Sequence, residues 1–292
     1  MSHKLSRLAI VAVAALSLAA CGSSGGKSTV KSTSKVDAKL AAMVPADIKS
    51  AGKITVGTDA SYAPNEFFDA DGKTIIGMDV DLGVAIGEKL GLQVKFENAS
   101  FDGIIPAVQS GKYQLAMSSF TDNTDREKVV DMVTYFTAGT SLAVKKGTTL
   151  SVDDLCGHKM AVQKGTVQLD DLNARSKKCT DAGKKAIDIS ALQLQTDVSL
   201  AVASGKAEGF LADSPVAAYA VQKSNGVLEI SGDSYDDAPY GIVVPKGKGE
   251  FAQAVLGALQ ALAADGSYQK ILSKWGVADG AITDFKVNGA NG

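Results

Sequence analysis

From Lys53 onward, apolar and polar positions fall into short runs that switch between a period of two and a period near 3.6. Ile54-Thr55-Val56-Gly57 reads as a brief strand, and Phe67-Phe68 leads into the turn Asp69-Ala70-Asp71-Gly72. Gly77 to Leu90 has helical spacing, with Val80, Val84, Ile86 and Leu90 apolar and Gly91 as the stop. Val94-Lys95-Phe96 is the next strand, Phe101 to Gln109 a short helix ended by Gly111, and Leu115 to Ser119 a strand running into a polar loop. A second such block spans about Leu150 to Gly232. It has strands at Lys159–Val162, Ala186–Ile189 and Gly209–Ala212, and helices at Val167–Lys177, Asp197–Ser204 and Ser214–Ser224, with Pro215 in the tolerated first turn. Helices at Glu250–Ala264 and Ser267–Trp275 close the chain. Strand and helix in alternation predict a mostly parallel α/β architecture.

No Gly/Pro/Ser linker separates the second block from its neighbours. Its borders fall in apolar runs near Ser141-Leu142-Ala143-Val144 and Pro239-Tyr240-Gly241-Ile242-Val243. The chain is expected to leave one lobe (46–140), build a second (141–239) and return to the first (240–292). Two α/β lobes joined by two crossings set a cleft at the carboxyl ends of both sheets, where such sheets bind ligands and where a hinge can close.

The N-terminus carries different information. Lys4 and Arg7 precede an apolar run from Leu8 to Leu18, about 16 Å of helix and too short to span a bilayer. This fits a secretory signal over 1–20. Leu18-Ala19-Ala20-Cys21 resembles the bacterial lipobox, in which the cysteine is lipidated; the alternative is an ordinary signal with a chance cysteine. The Gly/Ser-rich stretch from Gly22 is expected to begin a flexible tether over 21–45. With Cys21 assigned to lipid, Cys156 and Cys179 remain as a pair in an exported chain, and a disulfide is the natural expectation. Two histidines are too few to suggest a metal site. Without Lys4 and Arg7, 28 basic residues face 32 acidic ones, a balance that argues against a nucleic-acid partner. No cofactor is implied.

Several segments occur in a telling order: Gly57-Thr58-Asp59-Ala60-Ser61-Tyr62-Ala63-Pro64, Gly77-Met78-Asp79-Val80-Asp81-Leu82, Phe101-Asp102-Gly103-Ile104-Ile105-Pro106, Asp122 to Asp131 with Arg126, Gly165-Thr166, Ala212-Asp213-Ser214-Pro215, and Tyr268 to Gly276. Together they resemble the family 3 extracellular solute-binding proteins, the polar amino-acid receptors of ABC importers. The resemblance covers about Ile54 to Gly276. It implies a bilobal, periplasmic-binding-protein-like (venus flytrap) fold, an L-amino-acid ligand and an importer permease as partner.

A zwitterion needs a cation for its carboxylate and an anion for its ammonium. The resemblance gives the first role to Arg126, whose guanidinium can grip a carboxylate with two bonds, and the second to Asp213. Asp213 also stands where it could cap the following helix. Ser119 and Thr121 are implied to make backbone and hydroxyl contacts, and Thr166 to offer its amide from a helix N-terminus in the other lobe. Tyr62 and Phe101 are aromatic-wall candidates, with core packing as the plainer reading. Asp59 ends the first strand and is expected to face the ligand side chain, favouring a cationic or polar amino acid. Glu66 and Asp102 are further acids nearby, and Asn65 stands where many relatives carry an aromatic residue. Two competing functions use the same fold: an amino-acid sensor, and a dehydratase acting on arogenate or prephenate. The latter needs a cleft acid or base, for which only Glu66, Asp59 and Asp102 stand near.

Overall fold

The computed structural model describes residues 35–290. The signal segment, Cys21 and the first part of the expected tether lie outside them. Helices α1 (Ala38–Ala42) and α2 (Ala46–Ala51) precede strand β1 (Lys53–Thr58). Strands β2 (Ser61–Tyr62), β3 (Glu66–Phe68) and β4 (Ile75–Ile76) form a small antiparallel sheet. Then follow α3 (Met78–Leu90), β5 (Gln93–Asn98), α4 (Phe101–Gln109), β6 (Leu115–Ala116), α5 (Thr124–Glu127) and the long β7 (Val130–Lys145). The next elements are β8 (Lys159–Gln163), α6 (Val167–Asp181), β9 (Asp188–Leu192), α7 (Gln195–Ala203), β10 (Gly209–Asp213) and α8 (Ser214–Lys223). The long β11 (Leu228–Pro245), α9 (Phe251–Ala264) and α10 (Ser267–Trp275) come next, followed by a 3-10 turn at Ala278–Gly280.

One eight-stranded sheet runs in the order β5-β1-β6-β11-β7-β10-β8-β9. The antiparallel pair β7–β11 is common to both halves of it. Near one end Val243 pairs with Ala116 of β6; near the other Thr140 to Val144 pair with β10. The register between β7 and β11 slips three times between Ser231 and Gly241. The apolar runs at Ser141–Val144 and Pro239–Val243 therefore sit inside two shared strands. The strands outside this pair are mutually parallel within each half.

Helices cover both faces of each half. In the first half, Leu82 and Ile86 of α3 pack with Val255, Leu259 and Leu262 of α9, while Ile104 and Val108 of α4 pack on the other side with Phe120 and Val243. In the second half, Val198 and Val202 of α7 meet Phe210, and Leu172 of α6 meets Met160 and Val162. Cys156 and Cys179 form a disulfide, Cα atoms 5.6 Å apart, that ties the last turn of α6 to the loop before β8.

Three expectations need correction. The stretch 36–45 is not tether: Asp37 caps α1, its amide donates to the Lys89 carbonyl at 2.9 Å, and Leu40 lies against Gly257 of α9. The buried face of α3 is Met78, Leu82, Ala85, Ile86 and Leu90, and Val84 is exposed. The strand expected at 186–189 starts two residues later, because it follows the register of β8, Lys159 opposite Asp188.

Candidate ligand-binding site

Arg126 owes its placement to a cap. Asn123 accepts the Arg126 amide at 2.9 Å and starts α5, so the side chain leaves the polar loop after β6 in a fixed direction. Nη1 then donates to the Thr121 carbonyl at 2.7 Å, and Nη2 reaches across to the Gly165 carbonyl at 3.3 Å. The guanidinium lies 5.7 and 5.2 Å from the ring centres of Phe101 and Phe120, which stack on each other at 4.5 Å. Burial pulls its pKa down to about 10, against the charges of Asp213, Asp170 and Asp122. It stays cationic at neutral pH.

Asp213 ends β10 and is buried. Oδ2 accepts from the Tyr62 hydroxyl at 2.9 Å and Oδ1 from Gln168 Nε2 at 2.7 Å. Burial raises its pKa, and the nearby Tyr240 hydroxyl, the hydrogen bonds from Tyr62 and Gln168, and then the Arg126 charge oppose that rise. Its carboxylate makes no cap bond to α8, so the capping alternative does not hold.

Seven of the eight candidate ligand residues line one narrow cavity of about 10 Å3: Tyr62, Phe101, Ser119, Thr121, Arg126, Thr166 and Asp213. Thr166 caps α6, its hydroxyl accepting from the Leu169 amide at 3.3 Å and donating to the Gln163 carbonyl at 2.8 Å. Ser119 has a left-handed backbone, φ 52°, and its hydroxyl is held by Asn65 and Glu66. Val167 and Gln168 also line the cavity and escaped the sequence reading. Gln168 sits in the first turn of α6, two residues past Thr166. A helix start pointed at a cleft was the available signal for it. A roomier groove of about 770 Å3 beside Tyr219 and Trp275 holds none of the candidate residues.

Asp59 is the exception. Its Oδ1 accepts from the Ser61 hydroxyl at 2.6 Å and the Ser61 amide at 3.1 Å; Oδ2 accepts from the Phe101 amide at 3.0 Å and Gln163 Nε2 at 3.1 Å. It is 1% exposed and does not reach the cavity. Its acceptor sites are filled by the start of α4 and by a residue of the opposite half, so the role of side-chain discriminator is withdrawn. Asp102 likewise faces across the cleft mouth, paired with Lys164 Nζ at 2.8 Å and accepting from Gln193 Nε2 at 2.9 Å. The bond from Lys164 is the main reason its pKa is lowered. Asn65 is fully buried, its amide donating to Ser119.

The cavity thus sets a guanidinium from one half near a carboxylate from the other, walled by aromatic rings. That is the complement of a small zwitterion. Among the described residues, no group of three His, Cys, Asp or Glu side chains could hold a metal ion, and no helix is long and apolar enough to cross a membrane.

Two α/β halves sharing two long strands, with such a cavity between them, define a bilobal solute-binding protein. The chain belongs to the bacterial extracellular solute-binding proteins, family 3, which match it over residues 54–278. It is similar to the arginine-binding protein ArgT of Corynebacterium glutamicum, 34% identical over 253 residues, 86% of this chain and 83% of that one. Among solved structures it is similar to an ancestral arginine-binding protein bound to arginine: TM-score 0.71, 37% identity, covering 77% of this chain and 98% of that one. It is also similar to an ancestral amino-acid-binding protein described as a precursor of cyclohexadienyl dehydratase: TM-score 0.71, 34% identity, covering 78% and 97%.

Proposed function

We propose that this solute-binding protein is an extracytoplasmic lipoprotein receptor, anchored through Cys21, that closes residues 141–239 over the rest of the chain around a polar or cationic L-amino acid and delivers it to an ABC importer. The carrying observation is the pairing of Arg126 and Asp213 across one cavity. Arg126 takes the α-carboxylate, Asp213 and the Tyr62 hydroxyl take the α-ammonium, and Phe101 and Tyr62 exclude water. Thr121 and Ser119 complete the first half's share, and Thr166 adds its backbone amide from the second. L-arginine is the first ligand to try, since ArgT and the ancestral arginine-binding protein carry that ligand in their names.

We read the protein as a receptor rather than an enzyme. The dehydratase alternative needs a free acid or base in the cleft. Glu66, Asp59 and Asp102 do not line the cavity, and Asp213 is already held by Tyr62 and Gln168. That favours binding without chemistry.

The test is calorimetric titration of residues 36–292 with each L-amino acid. One or a few tight binders, with Arg126→Ala abolishing the heat, support the reading; silence across the set in ligand-free protein sinks it. Turnover of arogenate or prephenate would replace it with the enzyme. Cys21→Ala in the full chain should release the protein from membranes.

A further inference from the structure

Beneath the cavity floor lies a group of buried acids that ligand binding does not use. Glu66 of β3 and Asp79 of α3 are both fully buried, and among the described residues no cation forms an ion pair with either. The Ser118 hydroxyl donates to Glu66 Oε1 at 3.1 Å, and the Ser119 hydroxyl to Oε2 at 3.3 Å. The Ser119 amide donates to Asp79 Oδ2 at 2.9 Å. The Tyr135 hydroxyl of β7 stands 2.7 and 2.9 Å from the two Asp79 oxygens. Asn65 Nδ2 completes the ring by donating to the Ser119 hydroxyl at 2.9 Å.

Ser119 is the only residue of this ring that lines the cavity. It is held at φ 52°, a conformation that a residue with a Cβ adopts only under constraint. The constraint is visible: Asp79 fixes its amide, and Glu66 and Asn65 fix its hydroxyl. Both carboxyls hold the same serine, and two buried carboxyls that near each other with no paired cation resist being ionised together.

We infer that Glu66 and Asp79 share a single proton, and that this protonated pair positions Ser119 in the left-handed conformation it presents to the bound ligand. The inference rests on the amino-acid-receptor reading for its ligand but not for its proton. Burial first, then the charge of Asp79, pushes Glu66 well above the carboxylate range; burial lifts Asp79 to about 6. The other titratable groups facing the pair are Tyr135 on β7, Tyr62 on β2 and Asp59 beyond Ser118. None of them is cationic, so none can take over the role of the proton.

Loss of that proton at alkaline pH leaves two facing charges, and the hydrogen bonds that hold Ser119 are broken up. Ligand affinity then falls about tenfold for each pH unit beyond the second deprotonation. A glutamine at position 66 supplies an N–H to Asp79 permanently and keeps one acceptor oxygen for one of the two serines.

Two measurements test this on wild type and Glu66→Gln. The infrared difference between ligand-free wild type and Glu66→Gln at neutral pH should contain a protonated-carboxylic-acid carbonyl band; Asp122, partly protonated there, contributes to both spectra and cancels. Titration with L-arginine from mildly acidic to alkaline pH should show a steeper alkaline loss in wild type than in Glu66→Gln; deprotonation of arginine's own ammonium affects both alike. Absence of the band from that difference overturns the shared proton. A present band with identical alkaline profiles overturns the positioning role. If neither arginine nor any other amino acid binds wild type, the receptor reading fails and the infrared comparison still decides the proton. Should Glu66→Gln not fold, Asp79→Asn carries the same two readouts.

Discussion

Tyr62 and Asp213, 151 residues apart in sequence, exchange two hydrogen bonds across the cleft. The Tyr62 hydroxyl donates to Asp213 Oδ2 at 2.9 Å and accepts from the Asp213 amide at 3.2 Å. One hydroxyl thus orients the carboxylate and closes the two halves upon each other. Tyr62→Phe leaves a buried amide and a carboxylate oxygen without that partner, a loss of about 1–3 kcal/mol. The expected result in calorimetry is ligand binding weakened by roughly ten- to a hundredfold, with the melting temperature of the ligand-free protein lowered by a few degrees.

Arg126 makes one bond to its own half and one to the other while its guanidinium faces the cavity. A lysine has a single point of charge and cannot hold Thr121, Gly165 and a ligand carboxylate together. Arg126→Lys should therefore lose at least about 2 kcal/mol of binding, and Arg126→Ala should leave no measurable heat. Affinity kept within a few-fold in the alanine variant would remove Arg126 from the site.

The disulfide joins residues 23 apart in sequence. Opening a loop of that size should reduce stability by about 3 kcal/mol through the unfolded chain's gain in freedom. Urea unfolding with and without reductant measures it. Ligand affinity should hold, because the bond anchors the far end of α6 while Thr166 and Gln168 sit at its start. A parallel collapse of affinity would show that the bond acts on the site.

Asp122 accepts from the Gly289 amide at 3.0 Å and has a second oxygen without a partner. Burial, with a further push from Glu127, lifts its pKa to about 7. A raised carboxyl binds its proton more tightly folded than unfolded, so its contribution is complete below the unfolded value near ~4 and is lost as pH climbs through about 7. Asp122→Asn mimics the protonated form. Melting curves should show the variant gaining on wild type as pH rises across that window and no gain in acid. Parallel curves would refute the assignment.

Gly77 opens α3 with φ 140°, and a Cβ there would strike the Asn65 carbonyl and lie 2.8 Å from the Glu66 nitrogen. Gly77→Ala should destabilise by ~2 kcal/mol or more, read from the urea midpoint. Because Asn65 and Glu66 hold Ser119, the variant should also bind ligand less tightly.

Much of the fold was legible because strand and helix runs are local signals, and the cavity residues stood in segments whose order resembled a family. What escaped depended on distant partners. A carboxylate ending a strand reads the same whether it meets a ligand or, as at Asp59, an amide 42 residues on and a glutamine 104 residues on. Val84 is as apolar as its neighbours, and only the packing of α9 decides that Leu82 and Ala85 face inward. The α1 segment is short and weakly apolar, and it owes its order to α3 and α9 rather than to its own sequence. Gln168 carries no distinguishing pattern of its own; its role follows from where α6 begins.

The shared strands also set an order of events in folding. Residues 141–239 are contiguous, and β8, β9 and β10 with their helices can pair as soon as that stretch is available. The other half cannot complete its sheet so early: β6 lies between β1 and β11, and its β11 partner, Val243, comes 127 residues after Ala116. A chain delivered N-terminus first therefore holds β1, β5 and β6 with an open edge until the last fifth of the sequence arrives. That edge is the segment most in need of protection from wrong partners during synthesis and export.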